Sequence, residues 1–250
     1  MMTPALARPG RPFISEAKFV VDGSTGGRIR EWARMHLDPD PHGLGPFADE
    51  YRITSLYFDT DAGDVFHRRG SFGRAKYRVR RYGEDGVVFL ERKLRKPGML
   101  SKRRTLVALD ALPCLDRHRT DPGWDGDWFH RRLLLRQQKP VCQISYLRVA
   151  RAASTLDGPA RLTLDDDLRA ATAREPQFAP DAGRLVLPRG MILELKYGRY
   201  LPTLFKRLVE ELKLEPERAS KYRLGMTALG DARFPLTLPS PVDSLNVSHG

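Results

Sequence analysis

The chain has 250 residues, 41% of them hydrophobic and 30% charged, which supports one generous folded domain or two small ones and excludes a disordered chain. Lys plus Arg number 43 against 31 Asp plus Glu, a net charge of +12, so a polyanion is the leading class of partner. No uncharged apolar run approaches the roughly 18–20 residues of a spanning helix and the start lacks an apolar signal core, so the expectation is a soluble cytoplasmic protein with no membrane span. Cys114 and Cys142 are too few for a disulfide framework or a Cys-rich zinc site, and both are expected to be buried.

In chain order, residues 1–12 are rich in Pro, Arg and Ala without a period and read as a flexible tail. Ile14–Val21 alternates as a strand, with Glu16 and Lys18 on one face and Ala17 and Phe19 on the other. Ser24 and Thr25 offer caps for an amphipathic helix through Leu37, which Asp38-Pro39-Asp40-Pro41 stops. A strand is expected over Arg52–Phe58, then a hairpin over residues 75–94, then a strand over Ser101–Leu109. Asp127 caps a helix through Gln138, and strands follow over Val141–Arg151, Ala160–Asp165 and Leu185–Lys196, the last broken at Pro188-Arg-Gly190. The acidic run Asp165-Asp-Asp167 reads as a turn and helix cap. Pro202 opens a helix to Leu212, Ser220 opens another to Leu229, and residues 233–250 read as a second flexible tail. With no repeat and no change of composition, residues 13–232 form one α+β domain.

Between Arg68 and Arg104 stand 14 Lys or Arg against three acids, nearly the whole charge excess. Alternation puts Lys76, Arg78 and Arg80 on one face of the hairpin, and Glu91, Lys93 and Arg95 on one face of its second strand. Cations crowded on one sheet face repel unless an anion is held there. The other strands are likewise polar on one face and apolar on the other, which suits an antiparallel sheet with helices packed outside; closing it into a barrel would make the charged face a lumen. Glu194 and Lys196 fall on the charged face of Ile192-Leu-Glu-Leu-Lys196, an arrangement open to two readings: a divalent cation holding a polyphosphate, or a plain ion pair. Tyr146 with Arg148, Arg161 with Thr163, and Ser220 with Lys221 complete the candidate anion contacts. The six His show no HExxH or triad context and no GxxxxGK[ST] loop is present, so zinc-protease, hydrolase-triad and P-loop chemistry find no support. The aromatics are expected on the apolar side rather than between cations, which argues against nucleic acid as partner.

The ordered set Glu16-x-Lys18, Tyr51–Asp59, Lys76-Tyr-Arg-Val-Arg80, Glu91-Arg-Lys93, Ser101–Arg104, Tyr146-x-Arg148, Arg161–Asp165, Leu193–Lys196 and Ser220-Lys221 closely resembles the VTC domain, the polyphosphate polymerase branch of the triphosphate tunnel (CYTH-like) metalloenzymes. The resemblance implies an eight-stranded antiparallel β-barrel tunnel that grips a triphosphate and a divalent cation, Mn²⁺ or Mg²⁺, and passes the γ-phosphate of ATP to inorganic polyphosphate. Carried over motif by motif, Lys18, Arg78, Arg80, Lys93 and Lys196 would be catalytic. Lys102, Arg148, Arg161, Ser220 and Lys221 would bind phosphate, and Glu194, with Glu91 as a second acid, would hold the metal. Hydrolytic members open with Glu-x-Glu-x-Lys, whereas this chain has Ile14 in the first position, which favours the polymerase branch. The competing readings are a tunnel triphosphatase, separated by whether phosphate appears free or in a chain, and a non-catalytic polyphosphate-binding module.

Overall fold

The computed structural model describes residues 15–96, 99–180 and 183–230; both expected tails, and Ile14, lie outside them. The sheet strands are β1 (Ser15–Asp22), β2 (Asp38–Pro39), β3 (Glu50–Asp59), β4 (Ala75–Tyr82), β5 (Val87–Lys96), β6 (Met99–Ala108), β7 (Lys139–Thr155), β8 (Gly158–Thr172), β9 (Arg184–Leu185) and β10 (Gly190–Tyr197). The helices are α1 (Gly23–His36), α2 (Asp127–Leu135), α3 (Thr203–Glu211) and α4 (Lys221–Leu229). All strand pairing is antiparallel, in the order β1-β10-β8-β7-β3-β4-β5-β6, with β2 beside β7 and β9 beside β8.

The expected closed eight-stranded barrel is replaced by an open sheet: β1 and β6 stand at opposite ends of this order and share no ladder among the described residues. The run Lys102-Arg-Arg104 makes β6 the kind of charged edge that resists further pairing. The sheet is nevertheless curled, because Lys93 on β5 reaches Glu16 on β1, Nζ to Oε1, at 3.1 Å.

Period-2 alternation separates two apolar layers on the convex face from a third on the concave one. Phe19, Leu162, Leu164, Leu193 and Leu195 bury against Ile29, Trp32 and Ala33 of α1 and Phe205 and Leu208 of α3. Leu56, Val79, Val88 and Leu90 bury against Phe129 and Leu133 of α2. The expectation that every helix packs outside fails for α4. Its Tyr222 and Met226 share a cluster with Ile53, Tyr57, Ile144, Tyr146, Leu168 and Ala170 on the concave face. Gly225 permits the approach, since a Cβ there would lie 2.1 Å from Ile144 Cδ1. Ion pairs from Lys221 to Asp165 and Glu194 hold the start of α4 over the charged surface.

The acidic run is a bulge rather than a turn and helix cap. Ser145 pairs with Arg169 but Leu147 with Asp166, so β8 carries one extra residue, and Asp167 takes the left-handed φ of 48°. The bulge changes which residues face inward: Asp165 is concave-facing, and three residues on so is Leu168. β7 and β8 therefore run longer than their alternation suggested, while the break at Pro188-Arg-Gly190 does separate β9 from β10. The first helix is capped by Asp22, whose Oδ1 accepts from Thr25 N at 2.9 Å, two residues before the expected cap. Helix α2 starts from Gly126 and ends at Leu135, short of Gln138. Cys142 is buried as expected, but Cys114 is only half-buried, and both are free thiols. Among the described residues no helix is long and apolar enough to cross a membrane.

Candidate functional site

The concave face collects its charges from seven strands and α4. On the hairpin, Glu91 is buried between three cations: Arg78 at 2.7 Å, Lys102 at 2.6 Å and Arg104 at 3.1 Å. Burial alone would raise its carboxyl, but the charges of Arg78, Arg80 and Lys102 outweigh that and hold it well below the usual carboxylate range. Glu91 is thus committed to orienting the cations of β4 and β6.

A second group joins β1, β10, β8, β7 and α4. Glu194 Oε1 receives Lys18 Nζ at 3.2 Å and Lys221 Nζ at 3.1 Å, while Lys196 Nζ stands 3.4 Å from Oε2. Asp165 accepts a two-pronged pair from Arg148, 2.6 and 2.7 Å, and Lys221 at 2.5 Å. Both carboxyls are pulled down despite burial, Glu194 by Lys221, Lys196 and Lys18, Asp165 by Arg148 and Lys221. Arg161 is held by Asp40 at 2.6 Å and Tyr51 Oη at 3.3 Å.

Two cations on this face have no such partner. Arg80, fully enclosed, donates to Ser55 Oγ at 3.2 Å and Tyr146 Oη at 3.0 Å, with the charge of Glu91 nearby. Lys76 donates to Ser220 Oγ at 3.1 Å. Neither forms an ion pair among the described residues. Burial, with Arg68, Lys18, Lys93 and Arg78 nearby, pushes the Lys76 ammonium down to about 8; burial does the same to Lys196, also to about 8, against the pull of Glu194. A cation drawn out of water without an ion-pair partner, as Lys76 is, is costly in the empty site and a strong ligand for an anion that enters it.

The structure thus brings Lys18, Arg78, Arg80, Lys93, Lys102, Lys196, Ser220, Lys221, Glu91 and Glu194 to one face, with Arg148 and Arg161 there but engaged by acids. The sequence placed Lys76 on this face beside Arg78 and Arg80 without assigning it a role, and Asp165 was read into a turn although it shares the parity of Arg161 and Thr163. The aromatics also require correction. Tyr57 Oη accepts from Arg78 at 3.3 Å, Tyr146 lies beneath Lys221 and Arg148, and Arg104 stacks 3.4 Å from the Phe89 centroid, so aromatic rings do stand among the cations. Their hydroxyls and ring faces orient the guanidinium groups.

No group of three His, Cys, Asp or Glu side chains able to hold a metal occurs among the described residues. A fully protein-made cage is absent from them, but Mg²⁺ or Mn²⁺ needs only one or two carboxylates when phosphate oxygens fill its other positions. Glu194 fits that role once phosphate is present: Lys18 and Lys221 take its Oε1, and Lys196 stands 3.4 Å from its Oε2.

Comparison with known families matches residues 13–230 to the VTC domain. The chain belongs to the VTC domain family. In fold, this VTC domain is similar to the crystal structure of a Bacillus halodurans protein provisionally named an adenylate cyclase, with TM-score 0.52, 15% identity, and 82% of this chain and 92% of that one covered. It is also similar to the Hippeastrum protein HpAC1, named in the same provisional way and described as having a dominant triphosphatase activity, with TM-score 0.50, 13% identity and coverage of 85% and 94%. No curated protein matches the sequence. The family match and the shared fold agree with the resemblance read from the sequence motifs.

Proposed function

We propose that the protein is an ATP-dependent polyphosphate polymerase that uses Mn²⁺ or Mg²⁺. The observation that carries the reading is a pair of cations, half-buried Lys76 and buried Arg80, that form no ion pair among the described residues on a face crowded with further Lys and Arg. In the reaction, a terminal phosphate oxygen of the acceptor chain attacks the γ-phosphorus of ATP. The bond from that phosphorus to the β,γ-bridging oxygen breaks, ADP leaves with the electron pair, and the chain grows by one phosphate. Such transfer needs positioning and charge neutralisation and no covalent nucleophile on the protein.

Arg78 and Arg80 on β4, Lys93 on β5 and Lys102 on β6 would grip the triphosphate from one side of the curl, with Lys18, Lys196 and Lys221 from the other. Ser220 would hold Lys76 in place until phosphate arrives. Arg148 and Arg161 would act chiefly by fixing Asp165 and Asp40. Glu194 would hold the metal, which supplies charge neutralisation at phosphate oxygens. Two features support the polymerase over a triphosphatase: Ile14 stands where hydrolases carry their first acid, and Glu16 is engaged by Lys93 and by Lys18, at 3.1 and 3.8 Å.

The test is incubation with ATP and Mn²⁺ or Mg²⁺, resolving products by polyphosphate gel, ADP release and free-phosphate assay. A polyphosphate ladder with matching ADP is expected. Free phosphate without a ladder would make the protein a triphosphatase, and tight polyphosphate binding with neither product would leave a binding module.

A further inference from the structure

The uncompensated charge continues beyond the site. On β5, Glu91, Lys93 and Arg95 share a face; Lys93 pairs with Lys76, and Leu94 with Ala75, the first residue of β4, so Arg95 extends the cation row past the end of β4. Lys76 is bonded to Ser220 at the start of α4, and Arg218 lies two residues before that serine. Arg223, in the first turns of α4, places its guanidinium 5.4 Å from the ring centroid of Phe66, and Arg68 follows Phe66 by two residues. Register, hydrogen bond and ring contact thus gather Arg68, Arg95, Arg218 and Arg223 around the end of the tunnel where Lys76 sits. Arg68, Arg95 and Arg218 are exposed, and none of the four forms an ion pair among the described residues. The acid nearest in sequence, Glu217, gives its backbone N–H to Lys18 O at 2.7 Å and joins no ion pair with them. Burial and the charges of Arg223, Arg218 and Arg95 depress Arg68, so the neighbours that act on it are of its own sign.

We infer that these four arginines form an external track on which the polyphosphate chain lies as it passes the Lys76 end of the tunnel. The inference rests on the proposed function and adds to it a second, sequential phosphate-binding surface. A triphosphate is too short to occupy tunnel and track together, whereas a long chain spans both, so the track should act on chain-length preference and leave the grip on a short ligand alone.

The experiment compares the full chain with Arg68→Ala/Arg95→Ala/Arg218→Ala for binding of tripolyphosphate and of long-chain polyphosphate at low and moderate salt. The unaltered protein should prefer the long chain. The variant should lose about tenfold in long-chain affinity, as expected for several exposed charge contacts, with a shallower salt dependence. Its tripolyphosphate affinity should not weaken, which also shows that it is folded. The same three positions changed to Lys should keep most of the long-chain preference. Equal loss for both ligands, or no loss for the long chain, would overturn the track while leaving the tunnel reading intact. Failure of the unaltered protein to bind either ligand would overturn the proposed function and the track with it. Single-stranded RNA that binds as tightly as long-chain polyphosphate, and loses as much in the variant, would make the surface a nucleic-acid groove and overturn its assignment to polyphosphate.

Discussion

Raising the pH through 8 should loosen the proposed hold of the concave face on phosphate. Burial and the surrounding cations bring the Lys76 ammonium from 10.5 to about 8, and burial brings Lys196 to about 8 as well. At about 1.36 kcal/mol per pH unit, keeping Lys76 protonated in the empty site is disfavoured by about 3 kcal/mol relative to water. A bound anion removes that penalty and draws the ammonium back toward its ordinary range, so binding above pH 8 takes up protons. Below pH 8 both lysines already carry them and affinity should be level. Above it, affinity should fall by as much as about tenfold per pH unit for each lysine, until the pKa of the bound state is passed. The unliganded fold should respond in the opposite sense. Between about 8 and 10.5 it binds fewer protons than the unfolded chain, so its stability should rise with pH through that window. Calorimetric titration with tripolyphosphate in metal-free buffers of differing ionisation enthalpy reads both Kd and proton uptake. Lys76→Met should remove one lysine's share of the slope. A Kd that stays level across this window, or a slope that Lys76→Met leaves unchanged, would refute the reasoning.

Other perturbations separate the roles of the paired groups. Arg78→Ala with Arg80→Ala should lower tripolyphosphate affinity by at least about a hundredfold, since charge-assisted contacts are the strong ones, while circular dichroism stays native; unaltered affinity would move the anion off β4. Glu194→Gln should stop metal-dependent turnover yet preserve or tighten ATP binding, because it removes a negative charge from among Lys18, Lys196 and Lys221; persistent turnover would place the metal on another carboxylate. Asp165→Asn leaves Arg148 and Lys221 buried with one fewer counter-charge, for which urea unfolding should show a loss of about 3–5 kcal/mol; a loss below about 1 kcal/mol would mean that water or another acid compensates them.

What could be read from the sequence was what local periodicity encodes. Side chains alternate every residue along a strand whatever the rest of the chain does, so the shared face of Lys76, Arg78 and Arg80, and that of Glu91 and Lys93, followed from their spacing. The order of the motifs likewise placed the chain in its family. Helix α4 was visible as a helix, but its apolar stripe does not say which surface it meets; the ion pairs of Lys221 and the absent Cβ of Gly225 set it on the concave face. The inward position of Leu168 was hidden because a bulge is a mismatch between two strands, β7 and β8, and neither alone records it. The seam between β1 and β6 depends in the same way on long-range pairing. Above all, residue types could nominate cations but not their partners. Glu91 is committed to three cations and Arg148 to Asp165, while Lys76 and Arg80 form no ion pair among the described residues; electrostatic balance is a property of distances in space, and only the tertiary structure decided them.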